Sequence, residues 1–166
     1  MSLMEKLKKM FKRKGKFNFV YDDSHINKDN FKEELIHFHS YETGKDYDLC
    51  IHSEFYEKDN SFFISIFGFD DDGKVYSFRK LTTCVPNSNL DENEFCVKVD
   101  SWREADRFIT ETGLGTNTGR IVNWDNERYL VYKVNDLDFL IKHDYTNIIN
   151  KEKVNQFEKY VEERNR

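Results

Sequence analysis

Residues 61–81, SFFISIFGFDDDGKVYSFRKL, contain two short runs of aromatic and β-branched residues on either side of Asp-Asp-Asp-Gly. Such side chains favour strands, and Asp-Gly between two strand-like runs is typical of a hairpin turn. A third run, YDLCIHSEFY at 47–56, is separated from this pair by the polar residues EKDN. The three runs predict an antiparallel meander, and this meander decides the fold.

Helical and strand-like segments lie on both sides of the meander. Apolar residues recur at helical spacing in NKDNFKEELIHF (27–38), in SWREADRFITET (101–112) and in the segment that starts near residue 151. Ser101 and Glu104 match a capping box, which predicts that the second helix begins at residue 101. Further strands are predicted at 17–21, 95–99 and 139–141, and in a second hairpin whose strands, 120–124 and 128–134, flank DNE.

The order of these segments predicts an α+β fold. We expect residues 17–166 to form a single domain with an antiparallel sheet of about five to seven strands and two or three packed helices. The last helix is C-terminal, and Val154, Phe157, Tyr160 and Val161 fall on one of its faces.

The composition is that of a folded but polar protein. Charged residues make up 34% of the 166 residues, yet 15 Phe and 9 Tyr supply large apolar side chains for a core. Ala105 and Pro86 are the single alanine and proline, whereas Lys, Asn, Asp, Ile and Phe are abundant. This bias is typical of an AT-rich genome, so we expect a low-GC bacterium or one of its mobile elements as the source.

The cysteines and the apolar runs bear on the cellular compartment. Cys50, Cys84 and Cys96 are odd in number and include no CxxC pair, which argues against a disulfide framework or a cysteine zinc site. No apolar run reaches the length of a signal-peptide core or of a membrane span. We therefore expect a cytoplasmic protein.

The N-terminal residues 1–16, MSLMEKLKKMFKRKGK, form a basic arm with a net charge of +6, whereas the remaining 150 residues carry −11. As a helix, residues 3–14 would place Leu3, Leu7, Met10 and Phe11 on one apolar stripe. Stripes of this kind surrounded by cations are typical of helices that bind anionic membranes, and nucleic acid is the alternative partner. The competing interpretation is a solvated tail, or a strap on the protein's own acidic surface. The arm's proposed surface-binding residues are Lys6, Leu7, Lys8, Lys9, Phe11, Lys12 and Arg13.

The stretch TGLGTNTGR, 112–120, is locally rich in glycine and is the candidate ligand site. Backbone N–H groups, threonine hydroxyls and an arginine could surround a phosphate group. However, the stretch follows a helix and leads into a strand, the reverse of the order in phosphate-binding loops, and a helix C-cap followed by a loop also explains it. The candidate ligand-binding residues are Gly113, Gly115, Thr116, Thr118, Gly119 and Arg120, together with Arg103 and Arg107.

No pattern in the sequence identifies a catalytic residue, a metal site or a cofactor. The pair His37 and His39 does not have the spacing of known zinc sites. The aromatic residues of the meander allow two interpretations: either both faces of the sheet are covered or enclose a cavity, or an aromatic patch is exposed to bind a protein. These residues are Phe62, Phe63, Phe67, Phe69, Tyr76 and Phe78.

Three functional hypotheses follow, and the first is favoured. The favoured one is a non-catalytic binding protein of accessory, immunity or anti-defence type, which uses an acidic, aromatic-rich surface to bind another protein. The second is a small-molecule or nucleotide-binding domain, or a small enzyme, built around residues 112–120. The third is attachment to a membrane or to nucleic acid through the basic arm.

Overall fold

The structure, a computed structural model, describes residues 25–56 and 61–165. Within these residues the chain forms two antiparallel sheets and three α-helices, the last of them C-terminal, so the α+β prediction is confirmed. One sheet has four strands, which neighbour one another in chain order, and the other has three, with the last of them in the chain lying in the middle. The basic arm and the predicted strand at 17–21 lie outside the described residues.

The four-stranded sheet contains the predicted meander, whose three strands are confirmed. A short 3-10 helix, Lys28–Phe31, precedes it. The strands of this sheet are β1 Ile36–His39, β2 Asp46–Phe55, β3 Phe62–Phe69 and β4 Val75–Lys80. The remaining elements are β5 Glu94–Lys98, α1 Ala105–Glu111, β6 Gly115–Trp124, β7 Glu127–Val134, α2 Leu137–Lys142 and α3 Tyr145–Arg164.

The meander is covered on both faces, which settles how its aromatic residues are used. Alternate residues of a strand point to opposite faces. In β2, Leu49 and Ile51 belong to the large core cluster, whereas Cys50 belongs to a second cluster with Tyr145 and Ile148 of α3. In β3, Phe62, Ile64 and Ile66 join the first cluster, whereas Phe67 and Phe69 join the second. Phe62, Phe67 and Phe69 are buried, and Phe63, Tyr76 and Phe78 are partly buried.

The two hairpins have the turns that the sequence predicts. Asp70 Oδ1 accepts hydrogen bonds from the backbone N–H groups of Asp72 and Lys74, and Gly73 adopts a φ of +80°. Between β6 and β7, Asp125 and Asn126 have φ values of +51° and +61°. Positive φ at both central residues is the geometry of a type I′ turn, whose twist matches that of the strands.

Residues 27–38 do not form the predicted helix. Only Lys28–Phe31 is helical, and Ile36–His39 is strand β1, in which Ile36 and Phe38 are buried while His37 and His39 are exposed. The helical spacing of Phe31, Leu35 and Phe38 therefore reflects two different elements. Pairing of Ile36–His39 with β2 outweighs the local helical preference, as tertiary context often does.

The helix predicted at 101–112 begins four residues later, at Ala105, so the predicted capping box is wrong. Ser101 Oγ donates to the carbonyl oxygen of Lys98 instead of capping the helix. Glu104 occupies the N-cap position but forms no side-chain cap, because its carboxylate is directed to Ser40 and Tyr41 in the turn after β1. Hydrogen bonds to the distant residues Ser40 and Tyr41 have thus replaced the predicted bond within the helix start.

The C-terminal part of the chain differs from the predictions in two ways. Residues 139–141, predicted as a strand, lie within helix α2. Helix α3 begins at Tyr145 and not near residue 151, with Asp144 as its N-cap, and its side chain accepts a hydrogen bond from Asn147 N. The segment 145–150 contains the aromatic and branched residues that also suit a strand, which obscured the helix start.

Candidate functional site

Helix α3 is divided into a half that packs on the body and a half that does not. In the first half, Tyr145, Ile148, Ile149 and Glu152 are buried. From residue 153 to residue 164 every side chain is exposed. At 1.5 Å per residue, this exposed half is about 18 Å long.

The exposed half carries an apolar stripe that we call the α3 stripe. It consists of Val154, Phe157, Tyr160 and Val161, which are 55%, 65%, 52% and 38% exposed. None of the four belongs to the three hydrophobic clusters of the described residues. The sequence identified these residues as one helix face, but the structure shows that the face does not pack on the sheet.

The α3 stripe points away from the body. With 3.6 residues per turn, its centre lies about 140° around the helix axis from the centre of the buried face. The positions that continue the buried face are polar, namely Gln156, Lys159 and Glu163. The stripe is therefore a separate apolar surface, because apolar residues that continued the core would lie on the buried face of the helix.

The charges beside the α3 stripe differ along its two edges. On a helical wheel Glu158 and Glu162 follow one edge. At the other edge Arg164 donates a hydrogen bond to the Tyr160 hydroxyl, at 3.1 Å, and its guanidinium lies 5.8 Å from the centre of that ring. One edge is thus acidic, whereas the other is aromatic and basic.

An acidic cleft of about 500 Å³ lies at the base of the exposed half. The first described residues, the β3–β4 turn and α3 form its walls, and Glu152 Oε2 accepts a hydrogen bond from Asn27 N at 2.8 Å. Ile26 N donates to Gly73 O across the same region. The lining residues include His25, Asp29, Asp71, Asp72 and Gln156.

The glycine-rich stretch is a strand and not the predicted loop. Residues from Gly115 onward form β6, whose pairing with β7 is interrupted between Asn117 and Ile121. Gly115 is needed there because a Cβ would lie 2.8 Å from the carbonyl oxygen of Lys133. Gly113, with a φ of +84°, follows the C-cap of α1. The helix C-cap that the sequence suggests here is present, but the loop that it suggests after the cap is strand β6.

The polar groups of this stretch are engaged within the protein. Thr116 Oγ1 donates to Asn135 Oδ1, and Thr118 Oγ1 donates to the carbonyl oxygen of Val131. The N–H of Gly119 donates to Asn117 Oδ1, and that of Arg120 donates to Thr118 Oγ1. A phosphate group bound here would have to displace these hydrogen bonds, and phosphate binding stays a prediction.

The three arginines of the candidate ligand site have different surroundings. Arg120 forms an ion pair with Glu94 at 2.9 Å and donates to the carbonyl oxygens of Ser88 and Asn89. Arg103 is exposed. Arg107 is a residue of α1 that donates a hydrogen bond to the end of β1, so it belongs to a structural network.

The network around Arg107 joins α1 to the end of β1. Arg107 donates to Glu104, at 2.8 Å, and to the carbonyl oxygen of His39, at 2.6 Å. Its guanidinium lies 4.4 Å from the ring centre of Phe38 and 4.2 Å from that of Tyr41. Burial by itself would lower the pKa of Arg107, but hydrogen bonds to Glu104 and Glu111 outweigh burial and raise this pKa.

The histidines that could suggest a metal site are paired with carboxylates. His37 Nδ1 lies 2.6 Å from Asp48 Oδ1, and His39 Nδ1 lies 2.7 Å from Asp46 Oδ1. Both pairs connect residues directly opposite each other in β1 and β2. Among the residues that the structure describes, no group of three or more His, Cys, Asp and Glu side chains could hold a metal ion.

The cysteines lie inside the fold or near its surface. Cys50 and Cys96 are buried, and Cys84 is partly buried. Burial, reinforced by the nearby charge of Asp144, raises the pKa of the Cys50 thiol well above its ordinary value. Because the thiolate is the reactive form, this environment disfavours Cys50 as a nucleophile.

His143 should make the stability depend on pH. Its Nδ1 lies 2.6 Å from the carbonyl oxygen of Glu34, and burial lowers its pKa although this hydrogen bond opposes the shift. The unfolded chain therefore binds a proton more readily, near pH 6.5, and the free energy of unfolding should fall as the pH is lowered through that value, by at most about 1.4 kcal/mol per pH unit. Urea melts between pH 7.5 and 5.5 should show this fall, and a smaller one for His143→Asn. Equal slopes for the two proteins would contradict the prediction.

Within the described residues, no helix has both the length and the apolar character needed to cross a membrane. Comparison with protein-family models, with curated proteins and with solved structures gave no significant match.

Proposed function

We propose that this protein is a non-catalytic binding protein and that the α3 stripe is its contact surface for another protein. The observation that carries the proposal is the exposure of four apolar side chains on the side of α3 that faces away from the body. Clustered exposed apolar side chains are typical of interaction sites, whereas scattered single ones are ordinary.

The spacing of the α3 stripe suits binding in a groove. Val154, Phe157 and Val161 lie at positions i, i+3 and i+7, the anchor pattern of an amphipathic helix that inserts its apolar face into a partner. Phe157 and Tyr160 add large aromatic side chains, which are enriched in the centres of interfaces. We therefore infer that the partner offers an apolar groove.

The charges argue for a basic rim on that groove. Glu158 and Glu162 flank one edge of the stripe, and residues 17–166 carry a net charge of −11. Opposite charge on the partner would accelerate association and orient the two proteins. The partner is thus a protein with an apolar groove and basic side chains along one side of it.

The test is site-specific photo-crosslinking in cells of the native host, with p-benzoylphenylalanine placed at single positions of α3. We expect adducts to the same partner from positions 157 and 161 and none from positions 156 and 159, which lie on other sides of the same helix. Phe157→Lys should remove the adduct at 161, whereas Ile121→Lys, at an exposed apolar residue of β6, should leave it unchanged.

Three outcomes would overturn the proposal. The first is the absence of adducts at 157 and 161, and the second is equal labelling at all four positions. The third is a partner without an apolar groove and a basic rim. Adducts formed only with a second copy of this chain would replace the proposed partner with a homodimer.

A further inference from the structure

We propose that the protein's own basic arm, residues 3–14, covers the α3 stripe and competes with the partner for it. This inference adds regulation to the surface assigned above and so builds on the proposed function, but its test needs only the purified chain. Three features support it: the place where the described chain begins, the length of the preceding segment and the complementary chemistry of the two surfaces.

The described chain begins beside the exposed half of α3. Asn27 N donates to Glu152 Oε2 at 2.8 Å, and His25 and Gln156 line the same cleft. Glu152 precedes Val154 by two residues, a rise of about 3 Å along the helix. The preceding residues therefore leave the described part of the chain level with the start of the α3 stripe along the helix axis, on the side of α3 that packs on the body, and reach the stripe by passing around the helix.

The connecting segment is long enough for the arm to reach the whole stripe. Residues 15–24 can span up to about 33 Å when extended, against about 18 Å for the exposed half of α3. The two apolar surfaces also match in length. Residues 3 to 11 of a helix span about 12 Å, and residues 154 to 161 span about 11 Å.

The chemistry of the two segments is complementary. The arm offers Leu3, Leu7, Met10 and Phe11, the apolar counterpart of the stripe. Its net charge of +6 is opposite in sign to Glu158 and Glu162 beside the stripe and to the carboxylates of Asp29, Asp71 and Asp72 in the cleft. The arm thus has the two properties inferred for the partner, an apolar contact surface and adjacent basic side chains.

Tethering favours the arm over a second copy of the chain. A contact between two helices of about twelve residues falls short of the roughly 1,200 Å² that stable interfaces between separate proteins bury. A tethered segment avoids this limit, because a short linker gives it an effective concentration in the millimolar range. A contact that is too weak to hold two separate copies of the chain together can therefore persist between the arm and α3 of the same chain.

The proposal predicts slow amide exchange in the second half of α3. A stretch of helix whose side chains make no packing contacts opens locally, so its amides exchange quickly unless something covers it. If the arm binds with an intrinsic Kd of about 0.1 mM at an effective concentration of about 1 mM, amides 155–164 should exchange about tenfold more slowly than without the arm contact.

Hydrogen exchange of full-length variants tests this tenfold difference in exchange rate. Leu7→Asp combined with Phe11→Asp should accelerate exchange of amides 155–164 about tenfold and leave the β2 and β3 amides unchanged. Ser2→Asp combined with Gly15→Asp changes the net charge equally without altering the apolar stripe of the arm, and should leave exchange close to that of the unmodified chain.

Photo-crosslinking of the purified chain identifies the occupant. With p-benzoylphenylalanine at position 157 and the protein diluted to the low micromolar range, we expect intramolecular adducts to residues 1–14. Adducts to a second copy, no adducts to the arm, or equal exchange rates in all variants would each overturn the inference. None of these results bears on whether a partner binds in cells, so failure of this inference and failure of the proposed function can be told apart.

Discussion

Phe108→Ala should lower the free energy of unfolding by about 4 kcal/mol, the loss expected for removing a fully buried phenylalanine. Phe108 has no exposed surface, and its ring centre lies 5.4 Å from that of Phe38 and 5.6 Å from that of Trp102. Phe38 belongs to β1 and Phe108 to α1, so the substitution would leave a cavity where the helix packs on the four-stranded sheet. Denaturant melts followed by circular dichroism measure the change.

Phe157→Ala is the matched control, because it makes the same substitution on an exposed side chain. Its effect on the free energy of unfolding should stay below about 1.4 kcal/mol, the free energy that corresponds to the tenfold arm contact inferred above. Equal losses of about 4 kcal/mol for the two variants would mean either that Phe108 is not at the centre of the core or that Phe157 is buried by more than the arm.

Glu104→Ala should lower the free energy of unfolding by about 3 kcal/mol, because removal of one member of a buried charged pair leaves its partners unsatisfied. Glu104 is 8% exposed and accepts hydrogen bonds from Ser40 Oγ, Tyr41 N and Arg107 Nη2, at 2.7, 2.7 and 2.8 Å. Ser101→Ala is the control, since Ser101 is exposed and bonds only locally, and its effect should be close to zero. A larger loss of stability for Ser101→Ala than for Glu104→Ala would instead support the capping box that the sequence suggests.

The Glu104 contribution should also depend on pH. Burial by itself would raise the pKa of Glu104, but the hydrogen bonds from Ser40, Arg107 and the backbone N–H groups of Tyr41 and Glu42 outweigh burial and lower it. A lowered pKa in the folded state stabilises the protein above the unfolded value of about 4.3, and this stability is lost as the pH falls through the folded value. The difference in the free energy of unfolding between the unmodified chain and Glu104→Gln should therefore become smaller below pH 4.

Much of the fold follows from local sequence pattern. The strands at 47–56, 61–69 and 74–81 and the hairpin around Asp125 and Asn126 are confirmed, because alternating apolar residues and turn residues act over a few positions. The exposure of the α3 stripe could not be predicted in this way. A helix with an apolar face looks the same in sequence whether that face is buried or left free.

The amino-acid sequence by itself determined the fold class, the meander and the charge division between the basic arm and the acidic remainder, since these depend on composition and short-range periodicity. Tertiary structure decided the rest. Pairing with β2 converted Ile36–His39 from a predicted helix into a strand, and contact with Ser40 and Tyr41 drew Glu104 away from the helix cap. Packing of Tyr145, Ile148 and Ile149 on the sheet set the orientation of α3, which left Val154, Phe157, Tyr160 and Val161 outside. The physical reason is the same in each case: the free energy of contacts between distant residues exceeds the local preferences by which short patterns are interpreted.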